Sequence, residues 1–243
     1  YAPLLITTIE QRLELFAELQ LDLAAVVPFD EVLRDQTPAT FAGTVLADAL
    51  GARLVVVGED FRFGRDRTGN VASLAELGDA HGFEGVAIPL VGDERPVSST
   101  SIRSLIAAGD VAEAAVALQR HHEIRGRVIH GDGRGATIGF PTANLEIQDG
   151  LAIPGNGVYA VLAGIAGEEV AAGVANIGRR PTFGGGRESV EVHLLDGRRD
   201  LYGTELRVRF VERIRDERRF DGVDALVHQI GLDVEAARRI HGH

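Results

Sequence analysis

Gly131-Asp132-Gly133-Arg134-Gly135-Ala136-Thr137-Ile138-Gly139-Phe140-Pro141-Thr142-Ala143-Asn144-Leu145 is the stretch on which the fold turns. Before it, apolar runs alternate with helical periodicity. After it come short alternating segments between glycine-rich turns. Gly131, Gly133, Gly135 and Gly139 lack Cβ atoms and allow the backbone close to a bulky anion. Successive N–H groups in such a loop form an anion-binding concavity. Arg134 adds a planar cation suited to phosphate oxygens. Pro141 stiffens the exit and presents Thr142 and Asn144, two residues apart and so on one face of an extended segment. A hydroxyl beside an amide carbonyl suits a hard cation such as Mg²⁺, which shares oxygen ligands with phosphate. No Gly-Lys-Ser/Thr follows the glycines, and no Gly-x-Gly-x-x-Gly spacing occurs, so the two common glycine motifs are excluded. A hairpin that merely turns the chain is the alternative reading of the glycines.

Upstream, the pattern predicts helices over 9–20, 38–50, 73–81, 101–107 and 111–120. It predicts strands over Leu23–Phe29, Arg53–Val57 and Gly85–Leu90. This strand–helix alternation predicts an α/β layered domain, and the apolar run Arg53–Val57 reads as a parallel strand covered on both faces. Gly58-Glu59-Asp60-Phe61-Arg62-Phe63-Gly64 leaves the carboxyl end of that strand, where open α/β sheets bind ligands. Gly58, Asp60, Phe61 and Phe63 are candidates there; phenylalanines plugging a sheet edge are the other reading. Ser98-Ser99-Thr100 opens a helix whose N-terminus attracts phosphate. Arg103 sits in its first turn, unfavourably for the helix dipole unless an anion offsets it.

Downstream, Ile124–Val128, Gly157–Leu162, Val170–Ile177, Ser189–Leu195 and Leu206–Glu212 read as short strands of an antiparallel barrel or sandwich, followed by a helix over 223–240. The change of pattern places a domain boundary at 120/121. In Ser189–Leu195, alternation puts Glu191 and His193 on one face and Val190, Val192 and Leu194 on the other. A carboxylate lining a cleft is a candidate general base, against the alternative of a solvent-facing acid. Arg213, Arg215, Arg218 and Arg219, mixed with Asp216 and Glu217, read as a surface lattice of ion pairs. The histidines show no zinc-like spacing.

The 243 residues are 45% hydrophobic, enough for one large domain or two small ones. A net charge of −11 argues against broad nucleic-acid binding but permits a local nucleotide pocket. There is no apolar run of membrane length, no signal-peptide pattern and no cysteine, which fits a cytoplasmic protein. The chain has no Met, Trp or Lys either, and starts at Tyr1. A homo-oligomer is compatible with the sequence and not specified by it.

The motif Gly-Asp-Gly-Arg-Gly…Gly-Phe-Pro-Thr-Ala-Asn resembles the signature of riboflavin kinases. So do Asn176-Ile177-Gly178-x-x-Pro181-Thr182-Phe183, Val190-Glu191 with Leu195-Asp196 and Asp200-Leu201-Tyr202-Gly203, and Arg215-x-Glu217-x-x-Phe220. The segments 55–64 and 98–103 resemble the FMN adenylyltransferase module of bacterial bifunctional FAD synthetases. The resemblance implies a Rossmann-like nucleotidyltransferase domain, incomplete here, over 1–120, and a riboflavin kinase barrel over 121–243. It implies ATP-dependent phosphorylation of riboflavin to FMN with Mg²⁺, giving ADP, and FMN adenylylation to FAD in a longer parent.

Carried over, the loop 131–139 covers the ATP phosphates, Thr142 and Asn144 bind Mg²⁺ and phosphate, and Glu191 is the base. Gly58, Asp60, Phe61, Phe63, Ser99, Thr100 and Arg103 serve the adenylyltransferase module. The family's Phe-Asp-Gly-Val-His-x-Gly-His segment has no match here, and position 101 is Ser where many members carry Arg. The expectation is therefore an N-terminally truncated chain with little or no FAD formation. A non-catalytic flavin or nucleotide binder, or an assembly scaffold, are the rival readings.

Overall fold

The computed structural model describes residues 3–90, 97–131, 133–165, 170–179, 188–195 and 200–242. The side chains of Arg134, Arg179 and Glu188 lie outside the description, as do Asp132, Arg180 to Phe183 and Asp196 of the quoted motifs. The chain forms two compact units, one of residues 20–97 and one of residues 1–19 with 98–243.

The unit 20–97 carries a two-stranded parallel sheet. Strand β1 (Leu54–Gly58) pairs with β2 (Glu84–Ile88), Leu54 opposite Glu84 and Gly58 opposite Ile88. Val55 and Val57 face a core of Ala42, Phe63, Leu74 and Phe83. Burying a side chain such as Leu74 contributes about 1.5–3 kcal/mol. The expectation of a strand covered on both faces is corrected: Leu54 and Val56 are exposed. The expected strand Leu23–Phe29 is corrected too, since that segment is exposed and forms no ladder. Pro28 has no N–H to give, and among the described residues no strand lies beside the segment to take up its backbone groups.

Asp30 caps a short helix that the sequence did not announce, α2 (Glu31–Arg34). Helix α3 (Pro38–Phe41) starts with Pro in its first turn and continues as a π-helical stretch over Ala42–Ala49. Asn70 and Ser73 cap α4 (Val71–His81) reciprocally, and Gly82 ends it at φ 84°.

The other unit is built on a closed barrel of six strands. They are β3 (His122–Ile129), β4 (Ala143–Ile147), β5 (Gly157–Gly164), β6 (Ala171–Arg179), β7 (Glu188–Leu194) and β8 (Glu205–Arg215). Their order around the barrel is β3-β4-β7-β6-β5-β8, and every pairing is antiparallel. Closure removes all edges. Ile124, Val128, Tyr159, Val161, Ile177, Val190, Val192, Leu206, Val208 and Phe210 fill the interior. Truncating one of these, such as Phe210 to Ala, costs about 3–5 kcal/mol. Strand β4 lies in a segment that sequence reasoning treated only as an extended loop exit.

Helices α1 (Ile9–Glu18), α5 (Ser99–Ala108) and α6 (Val111–Leu118) belong to the barrel's unit, so the contact units do not divide at 120/121. Val111 of α6 is itself part of the barrel core. Thr8 and Gln11 cap α1 with a reciprocal pair of hydrogen bonds. Gln11 then donates to the Glu123 carbonyl at 3.0 Å, and Arg125 reaches Glu14 of α1 at 2.8 Å. Burial alone would raise the Glu123 carboxyl, but hydrogen bonds from Arg209 and Arg125, both at 2.8 Å, outweigh it and hold the group below its ordinary value. His122 is fully buried, stacks on Phe210 at 6.2 Å and donates Nε2–H to the Ala152 carbonyl at 2.8 Å. Helix α8 (Val223–His241) packs Val234, Ala237 and Ile240 on Val158, Ala160 and Val174 of the barrel's outer face.

Candidate active site

The barrel's register brings the site together. Asn144 on β4 faces Glu191 on β7, Glu191 faces Asn176 on β6, Asn176 faces Val158 on β5, and Val158 faces Arg215 on β8. Neighbours Leu145, Val190, Val192, Ile177 and Tyr159 point into the core, so alternation turns this row to the outside. Directly opposed residues hold their Cβ atoms about 4.5–5.5 Å apart. The Glu191 carboxylate therefore stands between two amides. The row lines a cavity of about 510 Å³ together with Thr142, Glu217 and Phe220. Thr142, Asn144 and Glu191, separated by up to 49 positions in the chain, thus share one cavity.

The glycines of the loop are explained by what lies behind them. A Cβ on Gly131 would collide with the Asn144 amide, whose most distant atom, Oδ1, would be only 2.7 Å away. A Cβ on Gly135 would collide with the Phe140 carbonyl and come within 3.3 Å of Thr142 Oγ1. Gly133 and Gly139 take φ of 68° and 92°, which L side chains rarely adopt. Between them, Arg134–Thr137 forms one helical turn, α7. Inside the loop, the N–H groups of Ala136, Ile138, Gly139 and Phe140 donate to carbonyls of Gly133, Gly135 and Ala136.

At the exit, His193 donates from Nδ1 to the Pro141 carbonyl at 2.8 Å, and its ring meets Phe140 edge-on at 5.5 Å. A second cavity, about 590 Å³, opens on the other side of this wall. It shares Phe140, Thr142 and His193 with the first and adds Leu201 and Tyr202. Tyr202 stacks on His130 at 3.9 Å.

In the arginine-rich segment 213–219, Arg213 pairs with the exposed Asp216 at 2.9 Å, as a surface lattice would have it, but the reading of Arg215 is corrected. Arg215 is not part of a loose surface lattice. It makes two hydrogen bonds, of 2.8 and 2.7 Å, to Asp233 of α8, whose side chain is 3% exposed. Gln229 adds a third to the same carboxylate at 2.7 Å. Arg215 and Arg218 lie over the Phe220 ring at 5.7 and 5.0 Å. Asn176, Glu217 and Phe220 also line the cavity, a place that their sequence motifs alone do not indicate. The two-residue alternation identified the face of Glu191 and His193 in Ser189–Leu195, but no sequence signal indicated the register.

The remaining candidates fall in two groups. Gly58, Asp60, Phe61 and Phe63 lie in the unit 20–97. Ser99, Thr100 and Arg103 lie in the barrel's unit. Phe61 N–H closes a turn on the Gly58 carbonyl at 3.0 Å. Phe63 is buried, stacked on Phe61 at 5.5 Å and tilted on Phe41 at 5.9 Å, so its ring serves the core. Ser98 and Ser101 cap α5 reciprocally. Arg103 gives its Nε–H to the Leu4 carbonyl at 2.8 Å, a partner independent of any anion. Among the described residues no group of three or more His, Cys, Asp or Glu clusters as a metal site, and no helix is long and apolar enough to cross a membrane.

The riboflavin kinase family matches residues 118–241, and the FAD synthetase family matches residues 1–101. The bifunctional riboflavin kinase/FMN adenylyltransferase of Escherichia coli K12 is 40% identical over 99% of this chain and 77% of its own length. The Bacillus subtilis enzyme of the same name is 37% identical over 97% and 75%. A crystal structure from Streptococcus pneumoniae, described as a macrolide-efflux protein, superposes with a TM-score of 0.90 at 34% identity, covering 98% of this chain and 78% of that one. The two matched families and the curated relatives show that the chain belongs to the bifunctional riboflavin kinase/FMN adenylyltransferase family.

Proposed function

We propose that the barrel transfers the γ-phosphoryl group of ATP to the ribityl 5′-hydroxyl of riboflavin, giving FMN and ADP. The observation that carries the reading is the register. It sets Glu191 beside Asn144, in a cavity that meets a second one at Thr142. The base must touch the nucleophile, so riboflavin belongs in the cavity lined by Glu191, Asn176, Glu217 and Phe220, and the nucleotide in the neighbouring one. Glu191 accepts the hydroxyl proton as the new P–O bond forms and the bond to the ADP oxygen breaks. Such transfers rest mainly on positioning and charge neutralisation.

Thr142 and Asn144 would hold Mg²⁺. Gly131, where a Cβ would displace the Asn144 amide, and Gly135, where it would come within 3.3 Å of Thr142 Oγ1, form a cradle consistent with that role. Two neutral oxygens without a carboxylate cluster fit a cation that keeps waters and phosphate oxygens as its other ligands. When bound with ATP, the ion supplies neutralisation of the phosphate charge. The loop 131–139, with Arg134, covers the phosphates in this reading.

The adenylylation of FMN to FAD is the reaction we assign to the N-terminal module. Gly58, Asp60 and Phe61, with Phe63 as the packed base of their loop, are the candidates for that reaction in the unit 20–97; Ser99, Thr100 and Arg103 are candidates within the barrel's unit.

The test is FMN formation from riboflavin and Mg-ATP, followed by chromatography. Glu191→Gln should lose roughly 100-fold or more in turnover and keep riboflavin binding. Unchanged turnover would sink the role of Glu191. Riboflavin held tightly by the unaltered chain with no FMN formed would favour the binder reading instead.

A further inference from the structure

We propose that His193 is a positioning residue that clamps the exit of the glycine-rich loop and thereby sets where Thr142 meets the nucleotide. The inference rests on the riboflavin kinase reading above. A carbonyl oxygen only accepts, so the 2.8 Å contact to Pro141 fixes the proton on His193 Nδ1. The clamp extends a ladder that has run out. Strands β4 and β7 pair at Leu145 with Val190, Asn144 with Glu191 and Ala143 with Val192. The next position in this register would set Thr142 opposite His193, but β4 begins at Ala143. The histidine side chain reaches past that point to the carbonyl of 141. Pro141 has a fixed φ and no N–H, so its carbonyl is the group through which a neighbour can hold its peptide.

His193 itself is firmly placed. Its strand is paired on the other side, Val174 opposite His193 and Asn176 opposite Glu191. It stands two residues from Glu191 on the same outer face, and it lines both cavities. The side chain that holds the nucleotide-side wall is thus on the same strand as the base. A shift of that wall by a fraction of an ångström would move Thr142 relative to Glu191. A misplacement of about 1 Å at a reacting centre costs on the order of 100-fold in rate.

The test uses the whole chain with two substitutions that separate ring from donor. His193→Phe keeps a ring against Phe140 and loses the donor; His193→Asn loses the ring and keeps an amide N–H at the place of Nδ1. Steady-state rates are measured with Mg-ATP varied at saturating riboflavin. Riboflavin binding is followed by quenching of flavin fluorescence, and hydrogen exchange is measured over 133–145 without ligands. The Phe variant should lose roughly 10- to 100-fold in kcat/KM for Mg-ATP, keep its riboflavin affinity and exchange faster in the loop. The Asn variant should recover most of each loss.

Wild-type kcat/KM in the Phe variant, no advantage of Asn over Phe, or an equal fall in riboflavin affinity would each overturn the clamp. If the unaltered chain makes no FMN, the kinase reading fails by itself. The exchange comparison then decides: faster exchange in Phe than in Asn supports the clamp, and equal exchange overturns it.

Discussion

Replacing Gly131 by Ala tests whether Asn144 is held for catalysis or merely happens to lie in a cavity. The added methyl group would meet the Asn144 amide, and even the amide's most distant atom would be at 2.7 Å, where ordinary contact begins near 3.4 Å. Asn144 is 8% exposed and sits within the β4–β7 ladder, so its backbone is not free to follow. The amide must therefore turn or retreat by on the order of 1 Å, a displacement that costs about 100-fold when it moves a group at the reacting centre. The strain should also take about 1–3 kcal/mol from stability, as for an overpacked core. The assay is kcat/KM for Mg-ATP in FMN formation, with riboflavin binding measured in parallel. Gly222→Ala, where a Cβ meets nothing within 4 Å, is the control. A folded Gly131→Ala protein with wild-type kcat/KM would refute the assignment of Asn144 to the nucleotide and its cation.

Two further outcomes follow from buried charge. Burial, helped by the charge of Arg120 and opposed by the Ala152 hydrogen bond, lowers His122 from 6.5 to about 4. Between these values the unfolded chain binds more protons, so stability rises with pH from about 4 and this contribution is complete above about 6.5. The whole effect is about 3 kcal/mol. His122→Gln, which keeps a donor for Ala152 and does not titrate, should flatten that part of the urea-unfolding profile between pH 4.5 and 7.5. The same slope in both proteins would assign the pH dependence elsewhere. Asp233→Ala should destabilise by about 3–5 kcal/mol, because Arg215 keeps a mostly buried cation without its carboxylate. Thermal unfolding measures it, and a loss under about 1 kcal/mol would show the pair to be an ordinary surface bridge.

The parts of this molecule legible in its sequence are those set by short-range periodicity. Alternation over Ser189–Leu195 put Glu191 and His193 on one face, and the barrel keeps them there. The hydroxyl run from Ser98 marks a helix start in the structure, where Ser98 is the N-cap. What could not be read depends on partners far along the chain. The register that sets Asn176 opposite Glu191 joins strands whose pairing no local pattern specifies. Asp233 lies 18 positions beyond Arg215 on a helix that must first dock. Strand β4 was hidden because Pro141 and the four glycines before it dominate the local reading, while its ladder comes from β3 and β7. Leu23–Phe29 shows the converse: an apolar run with no strand to pair with among the described residues does not become a strand.

The borders drawn by family likeness, 1–101 and 118–241, are poor places to cut the gene. A fragment starting at residue 118 would leave behind Val111, which stops one part of the barrel core, and Gln11 and Glu14, which fasten Glu123 and Arg125. The severed barrel would keep Thr142, Asn144 and Glu191 intact. Its Glu123 carboxylate, with the guanidinium groups around it, would lose the helix that covers them. The two catalytic names belong to two stretches of sequence, but the mechanical piece that must fold around the kinase site takes residues from both.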